Sequence, residues 1–444
     1  MAIYTSSHPL RTSFSQKHHL ANESRSMTNH RVVITGLGAV SPYGVGAHTL
    51  WRSVVSGKIA VGELHSLSKF EISPPPLGAE LCDFDFAAEF PQAATYANLT
   101  DRGMQLALVA AQEAFDDAHL TDTLGKIIPN DQFGVYLGTT TAGIASAADM
   151  ATSHLTRSPR PISSLTHTFC PGAWPDLIAH HFSANGILRS ASTSCYAGGE
   201  SVGLSFRDIK TGRTTVALAG GCDAPIIITN YMGFRVIGAT SRWTGEPAQA
   251  CKPFSANRDG MVFGEGAGFL ILEDLSSALE RNAHIYGEVI GYAATSDGED
   301  MVRPSHEGSR WSDAIQQALT EARISPNHID YISCHGTGTR ENDRAEVRAI
   351  TDALGRTDTP IGSIKSMIGH AFGGASALEL VCLSMTLREK ILPPTMNYST
   401  LDPECNMDCV PNEARTIEKC DYVLKTATGF GGSNMALVLA DWSD

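Results

Sequence analysis

Three short stretches hold residue types that can move an acyl group. The first is Ser192-Thr193-Ser194-Cys195-Tyr196-Ala197-Gly198-Gly199, a cysteine among small residues with a helical pattern behind it. A cysteine at a helix N-terminus meets free backbone N–H groups and partial positive charge. Both favour the thiolate, and the same N–H groups can hold a developing oxyanion. Small neighbours leave a bulky acyl chain room to reach the sulphur. A lone buried cysteine is more often simple packing, so its meaning depends on its company.

The second stretch, Cys334-His335-Gly336-Thr337-Gly338-Thr339, closes an apolar run that begins at Ile329. Open α/β sheets gather ligands at such strand ends, and Thr337 and Thr339 offer hydroxyls to a polar substrate arm. The third is Lys365-Ser366-Met367-Ile368-Gly369-His370, followed by Ala371-Phe372-Gly373-Gly374 and later Glu379. Lys365 and Glu379 read as an ion pair holding the turn, which is compatible with a working His370. One thiol and two histidines able to stay neutral form a set suited to acyl transfer followed by carbanion chemistry.

The elements that must position these groups alternate between strand and helix. A β-branched run from Arg31 to Thr35 leads into glycines, and QFGVYLG ends in the turn Thr139-Thr140-Thr141. DRGMQLALVAAQEAFDDAHL, from Asp101, has helical apolar spacing and an acid suited to capping. Strand, turn, helix and strand follow through Cys195 to Cys222. The order then begins again: strand, helix and strand from Gly264, a helix from Ser309 to Ala322, the Ile329 strand, and a closing hairpin in KTATGFGGSNMALVLAD. Alternation predicts an α/β class with parallel sheet. The repeated order predicts an internally duplicated fold of two halves, 27–250 and 251–444, split near residue 250.

The 444 residues suffice for one large or two medium domains. A net charge of −14 argues against nucleic acid or an anionic membrane as main partner, and no apolar run reaches the ~18 residues of a membrane span. Ten dispersed cysteines, several inside apolar runs, read as reduced thiols in a cytoplasmic setting. Cys405, Cys409 and Cys420 do not fit a usual zinc spacing, so no metal is expected. Residues 1–26 are polar, rich in Ser and His, and read as a disordered extension ahead of Met27.

From Arg31 to about Asp441 the chain resembles the elongating β-ketoacyl-acyl carrier protein synthases of the thiolase superfamily, the class with a Cys-His-His triad. The residues that carry the resemblance are Thr193-Ser194-Cys195, HGTGT from His335 with Asn342, Asp343 and Glu346, and Lys365 to His370 with Glu379. RDGMVFGEGAG from Arg258 and GFGGSN from Gly429 complete it. The resemblance implies a duplicated five-layered αβαβα fold and a homodimer, or a heterodimer with a second ketosynthase-like chain. It implies an acyl group taken by Cys195 from the phosphopantetheine of an acyl carrier protein. Decarboxylative condensation with malonyl-carrier protein would follow, with His335 and His370 donating to the enolate. The N–H groups of Cys195 and Phe430 would hold the oxyanion, Phe430 would act as a gate, and Thr337 and Thr339 would bind the pantetheine arm. No metal or redox cofactor is implied.

The chain departs from that pattern at Tyr196, Glu200 and the bulky loop Thr139-Thr140-Thr141. Five residues along a helix is ~500°, so Glu200 should lie about 140° round from the sulphur and miss it. Tyr196 and the threonines suggest an unusual pocket and a specialised polyketide or polyene substrate. Arg207 and Lys210 read as a solvated helix face or as part of a carrier-docking patch. Two rival readings keep the fold: an acyltransferase to an alcohol or amine, and an inactive chain-length-factor-like partner, which the presence of Cys195 disfavours. A degradative thiolase is disfavoured because Gly429-Phe430-Gly431-Gly432 has no second cysteine. An initiating synthase is disfavoured because His370 stands where asparagine is expected.

Overall fold

The computed structural model describes residues 29–98, 100–155 and 170–442; the expected N-terminal extension, 1–26, lies outside them. The first half contributes β1 (Val32–Ser41), α1 (Arg102–Asp117), β2 (Phe133–Gly138), α2 (Ala173–Phe182), β3 (Leu188–Ala191), α3 (Ala197–Lys210), β4 (Val216–Asp223), α4 (Ile228–Val236) and β5 (Gly266–Asp274). The second contributes β6 (Gly287–Ser296), α5 (Ser309–Ala322), β7 (Tyr331–Ser333), α6 (Arg340–Leu354), β8 (Ile361–Gly362), α7 (Ala375–Glu389), β9 (Tyr422–Gly429) and β10 (Ser433–Ala440).

Strands lie in the order β8-β7-β9-β10-β6-β1-β5-β4-β2-β3. Numbered within its own half, each set of five reads third, second, fourth, fifth, first. The second, third and fourth strands are parallel and the fifth is antiparallel in both. The duplication expected from element order is thus a duplication of topology. The halves join where β1 meets β6, pairing Val32, Val33 and Ile34 with Val289, Glu288 and Gly287. The seam falls between Asp274 and Gly287, later than the division near residue 250. The reason is that β5, at 266–274, pairs with β1 and β4 and so completes the first half.

Strand alternation sorts the core into layers. Leu218, Phe269 and Ile271 face outward onto α1 and α2, while Ala217, Leu270 and Leu272 face the middle. In the second half Leu424, Ala436 and Val438 face α5 and α6, and Val423, Leu437 and Leu439 face the middle. The middle layer is α3 and α7, giving the expected αβαβα order. Both halves of the sheet cover it, so every residue of α7 from Ala375 to Leu387 is buried, as a helix with no polar face must be. The fit is tight enough to need glycine: a Cβ on Gly203 would sit 2.3 Å from the Tyr292 ring.

Several local expectations hold. The Asp101 carboxylate caps α1 by accepting from the Met104 N–H at 3.1 Å. The Ser309–Ala322 helix and the closing hairpin form as read.

Candidate active site

Cys195 stands in a single helical turn, Ser194–Tyr196, between the end of β3 and the first residue of α3. Ser194 enters that turn with φ 61°, a left-handed conformation that a non-glycine residue adopts at a cost. Thr140 Oγ1 secures the turn by donating to the Ser194 carbonyl at 2.8 Å. His335 follows β7 and His370 follows β8, so all three groups sit beyond the C-terminal ends of strands. Both histidines are at most 3 % exposed.

One cavity of about 370 Å³ collects Cys195, His335, His370, Thr337, Thr339 and Phe430. The two imidazoles lie 5.2 Å apart and nearly perpendicular. Nδ1 of His335 and both ring nitrogens of His370 have no hydrogen-bond partner among the described residues. A buried ring nitrogen without a partner is costly unless a ligand supplies one. Burial, reinforced by Lys365, holds both rings well below the usual histidine range, so each is neutral at pH 7. Burial likewise pushes the Cys195 thiol up to about 11, against the opposing pull of the Ser194 hydroxyl, Lys365 and the Phe430 N–H. Burial therefore outweighs the thiolate stabilisation expected from the helix N-terminus.

Lys365 and Glu379 lie behind the cavity and do pair. Lys365 Nζ also donates to the His335 carbonyl at 2.6 Å, tying the ion pair to that histidine rather than to His370. The backbone of His370 is held instead by the RDGMVFGEGAG segment: its N–H donates to Val262 O at 2.8 Å and its carbonyl accepts from Gly264 N at 2.9 Å. Glu346, pushed up to about 7 by burial, accepts from the N–H groups of His335 at 2.6 Å and Gly336 at 2.8 Å. Thr337 and Thr339 share a hydroxyl contact of 3.0 Å at the wall.

The Phe430 ring stacks on Phe234 at 5.3 Å, Phe234 meets the edge of Phe372 at 4.9 Å, and Phe372 lies flat on His370 at 4.9 Å. The expected gate is therefore the outer member of an aromatic row that ends on a histidine. The Phe430 N–H, expected to face an oxyanion, donates here to Ser194 Oγ at 3.2 Å.

Sequence reasoning missed Phe234, which lines the cavity from a distant segment, and gave no role to Phe372 or Met261 inside the stretches it singled out. It also missed two buried charges. Lys425 pairs with Glu379 at 2.7 Å, so that one carboxylate serves two lysines. Asp223 accepts from Thr139 Oγ1, Thr140 N, Thr141 N and Oγ1, and Gly373 N at 2.6–2.9 Å. A lone lysine in KTATGFGG or aspartate in GGCDAP gives no signal until the fold brings partners to it.

Three readings are corrected. Tyr196 does not reach the cavity: its ring packs in the central core with Val202 and Tyr292. Thr139, Thr140 and Thr141 hold Asp223 and the nucleophile turn instead of bulking an acyl pocket. Lys210 is half-buried against another helix, whereas Arg207 stays exposed, as a solvated helix face would have it. Lys210 pairs with Glu321 at 2.9 Å, and Arg207 donates to Tyr292 O at 3.3 Å. Glu200 does turn away from the sulphur, and its carboxylate accepts from the Tyr292 hydroxyl.

The β-ketoacyl synthase N-terminal domain model matches residues 29–278, and the C-terminal domain model matches 286–399. The chain belongs to the β-ketoacyl synthase family. The tetracenomycin polyketide synthase ketoacyl synthase alpha subunit of Streptomyces glaucescens is 38% identical, over 93% of this chain and 98% of the relative. The 3-oxoacyl-[acyl-carrier-protein] synthase 2 of Synechocystis sp. is 36% identical, over 93% and 98%. Among solved structures, a ketosynthase bound to a hexaketide and complexed with its type II acyl-carrier protein superposes with a TM-score of 0.84 at 32% identity, over 93% of this chain and all of that one. The ishigamide ketosynthase/chain length factor gives 0.83 at 30% identity, over 94% of this chain and all of that one. Members of this family are acyltransferases. No helix among the described residues is long and apolar enough to cross a membrane.

Proposed function

We propose that this β-ketoacyl synthase catalyses decarboxylative condensation of an acyl group on Cys195 with a malonyl unit, in polyketide or fatty acid synthesis. The observation that carries this reading is a thiol and two neutral imidazoles with unpartnered nitrogens in one cavity. In the first step Cys195 sulphur attacks the thioester carbonyl of the incoming acyl group. The C–S bond to pantetheine breaks, and the pantetheine thiol leaves with the proton that Cys195 gave up. A malonyl thioester then enters, its carboxylate C–C bond breaks, and CO₂ departs, leaving the electron pair in an enolate. His335 and His370 donate N–H bonds to that enolate oxygen, a task only neutral or protonated rings placed beforehand can perform cheaply. The enolate carbon attacks the Cys195 thioester, the N–H groups of Cys195 and Phe430 receive the oxyanion, and the C–S bond to Cys195 breaks.

Lys365, Glu379 and Glu346 act through His335 by fixing its backbone. Thr337 and Thr339 line the wall along which a pantetheine arm would run. Each electron pair moves between substrates and side chains, so the route calls for no metal or redox cofactor, and both acyl groups arrive on carrier-bound phosphopantetheine. The implied partners are an acyl carrier protein and a second ketosynthase-like chain, identical or homologous, in the cytoplasm. The polyketide branch of this reading stands apart from Tyr196 and the threonine loop. It is supported by the polyketide ketosynthases among the relatives.

The test is incubation with acyl- and malonyl-carrier proteins, following CO₂ and the β-ketoacyl product. Product should vanish in Cys195→Ala, and CO₂ release should collapse in His335→Ala and His370→Ala. Wild-type protein that transfers its acyl group to an alcohol or amine without releasing CO₂ overturns the condensation reading.

A further inference from the structure

Ser194 precedes the nucleophile and is placed with unusual care. Its φ of 61° turns the side chain toward the sulphur, and its Oγ lies 3.8 Å from Cys195 Sγ. The same oxygen accepts the Phe430 N–H at 3.2 Å. A hydroxyl has one proton to donate and two lone pairs to accept with, so both contacts can coexist. Room for it comes from Gly429, where a Cβ would stand 2.8 Å from Ser194 Cβ. Thr140 fixes the residue from the other side through its carbonyl. A left-handed backbone would be easier for glycine, so the hydroxyl is kept at a conformational cost.

We propose that the Ser194 hydroxyl is a catalytic hydrogen-bond donor to the Cys195 sulphur, and that it covers the Phe430 N–H until an acyl carbonyl takes that donor. The sulphur is buried where a bare thiolate is disfavoured, so a donor aimed at it matters most when the charge forms. An O–H···S contact of 3.8 Å around a neutral thiol shortens once the sulphur is anionic, because charge-assisted bonds are the shorter ones. On acylation the sulphur loses its charge, and the thioester carbonyl replaces Ser194 Oγ as the acceptor of the Phe430 N–H. This second half rests on the condensation reading, whereas the donation to sulphur does not.

The experiment is the pH dependence of iodoacetamide alkylation at Cys195, read by peptide mass spectrometry in wild type, Ser194→Ala and Ser194→Gly. It needs no acyl substrate or carrier protein, so its outcome is independent of whether condensation is the reaction. Both variants should raise the apparent thiol pKa by about one unit, slowing alkylation about tenfold near neutral pH. Glycine relieves the left-handed backbone while alanine does not, so equal shifts in the two isolate the hydroxyl. A wild-type profile in both variants overturns the proposal. So does a shift in alanine that glycine restores, since backbone strain would then be the cause.

Discussion

The two halves of this synthase make the same turn and use it for opposite purposes. In the first half Ser194, at φ 61°, opens a single helical turn that runs into α3 at Ala197. In the second half Phe372, at φ 47°, opens one that runs into α7 at Ala375. Residue for residue, Cys195 corresponds to Gly373. The cysteine presents its side chain to a cavity. The glycine has no space for one: a Cβ there would lie 2.7 Å from Thr139 Cα and 2.8 Å from the Asp223 carboxylate. The fold thus holds two copies of one turn, and only the first leaves a side chain facing a cavity.

That contrast can be broken most forcefully at the two matching positions. Cys195→Ala should keep the fold, with a melting temperature close to wild type, and lower product formation by at least about 10³-fold. Gly373→Ala should do the reverse in kind, losing the soluble fold, because backbone rather than a flexible side chain stands in its way. A well-folded Gly373→Ala protein would sink the idea that the second turn is structural.

Next in size is Asp223→Asn. Its buried carboxylate gathers donors from the Thr139–Thr141 loop and from Gly373, and an amide can accept on one side only. Urea unfolding should show a loss of about 3 kcal/mol. Smaller again is Tyr292→Phe, which removes the hydroxyl donated to Glu200. A loss of about 1 kcal/mol is expected, with Cys195 alkylation unchanged, since Glu200 faces away from the sulphur. Slowed alkylation in that variant would show that the far side of α3 does reach the nucleophile.

The smallest expected change is none at all. Nitrogen-15 signals of His335 and His370 should stay those of neutral rings down to about pH 6, where an ordinary histidine would be about three quarters protonated. The same lowering sets a sign for stability. The unfolded chain takes up these protons first, so the two rings subtract stability as pH falls below about 6.5.

What was legible beforehand was local. Cys195, His335 and His370 announce themselves because strand, turn and helix signals surround each one within ten or so residues. The duplicated order was visible too, but its seam was not, because the fifth strand of the first half follows a long excursion through α4. Asp223 and Lys425 were invisible for a different reason. The partner that gives Asp223 its meaning, Gly373, is 150 positions away. Tyr196 is misleading because adjacency in sequence to the nucleophile is not adjacency to its pocket: the next residue on a helix points elsewhere.

The shared middle layer carries a consequence for how the molecule can be taken apart. α3 belongs to one half and α7 to the other, yet each lies between both halves of the sheet, and β1 meets β6 over only three residue pairs. A chain severed between Asp274 and Gly287 would give two fragments, each exposing the inner face of its sheet and a central helix that the other fragment now covers. Neither piece is a domain in the sense of something that folds by itself. The ancient copies have become co-dependent, and a split version would regain shape only by complementation.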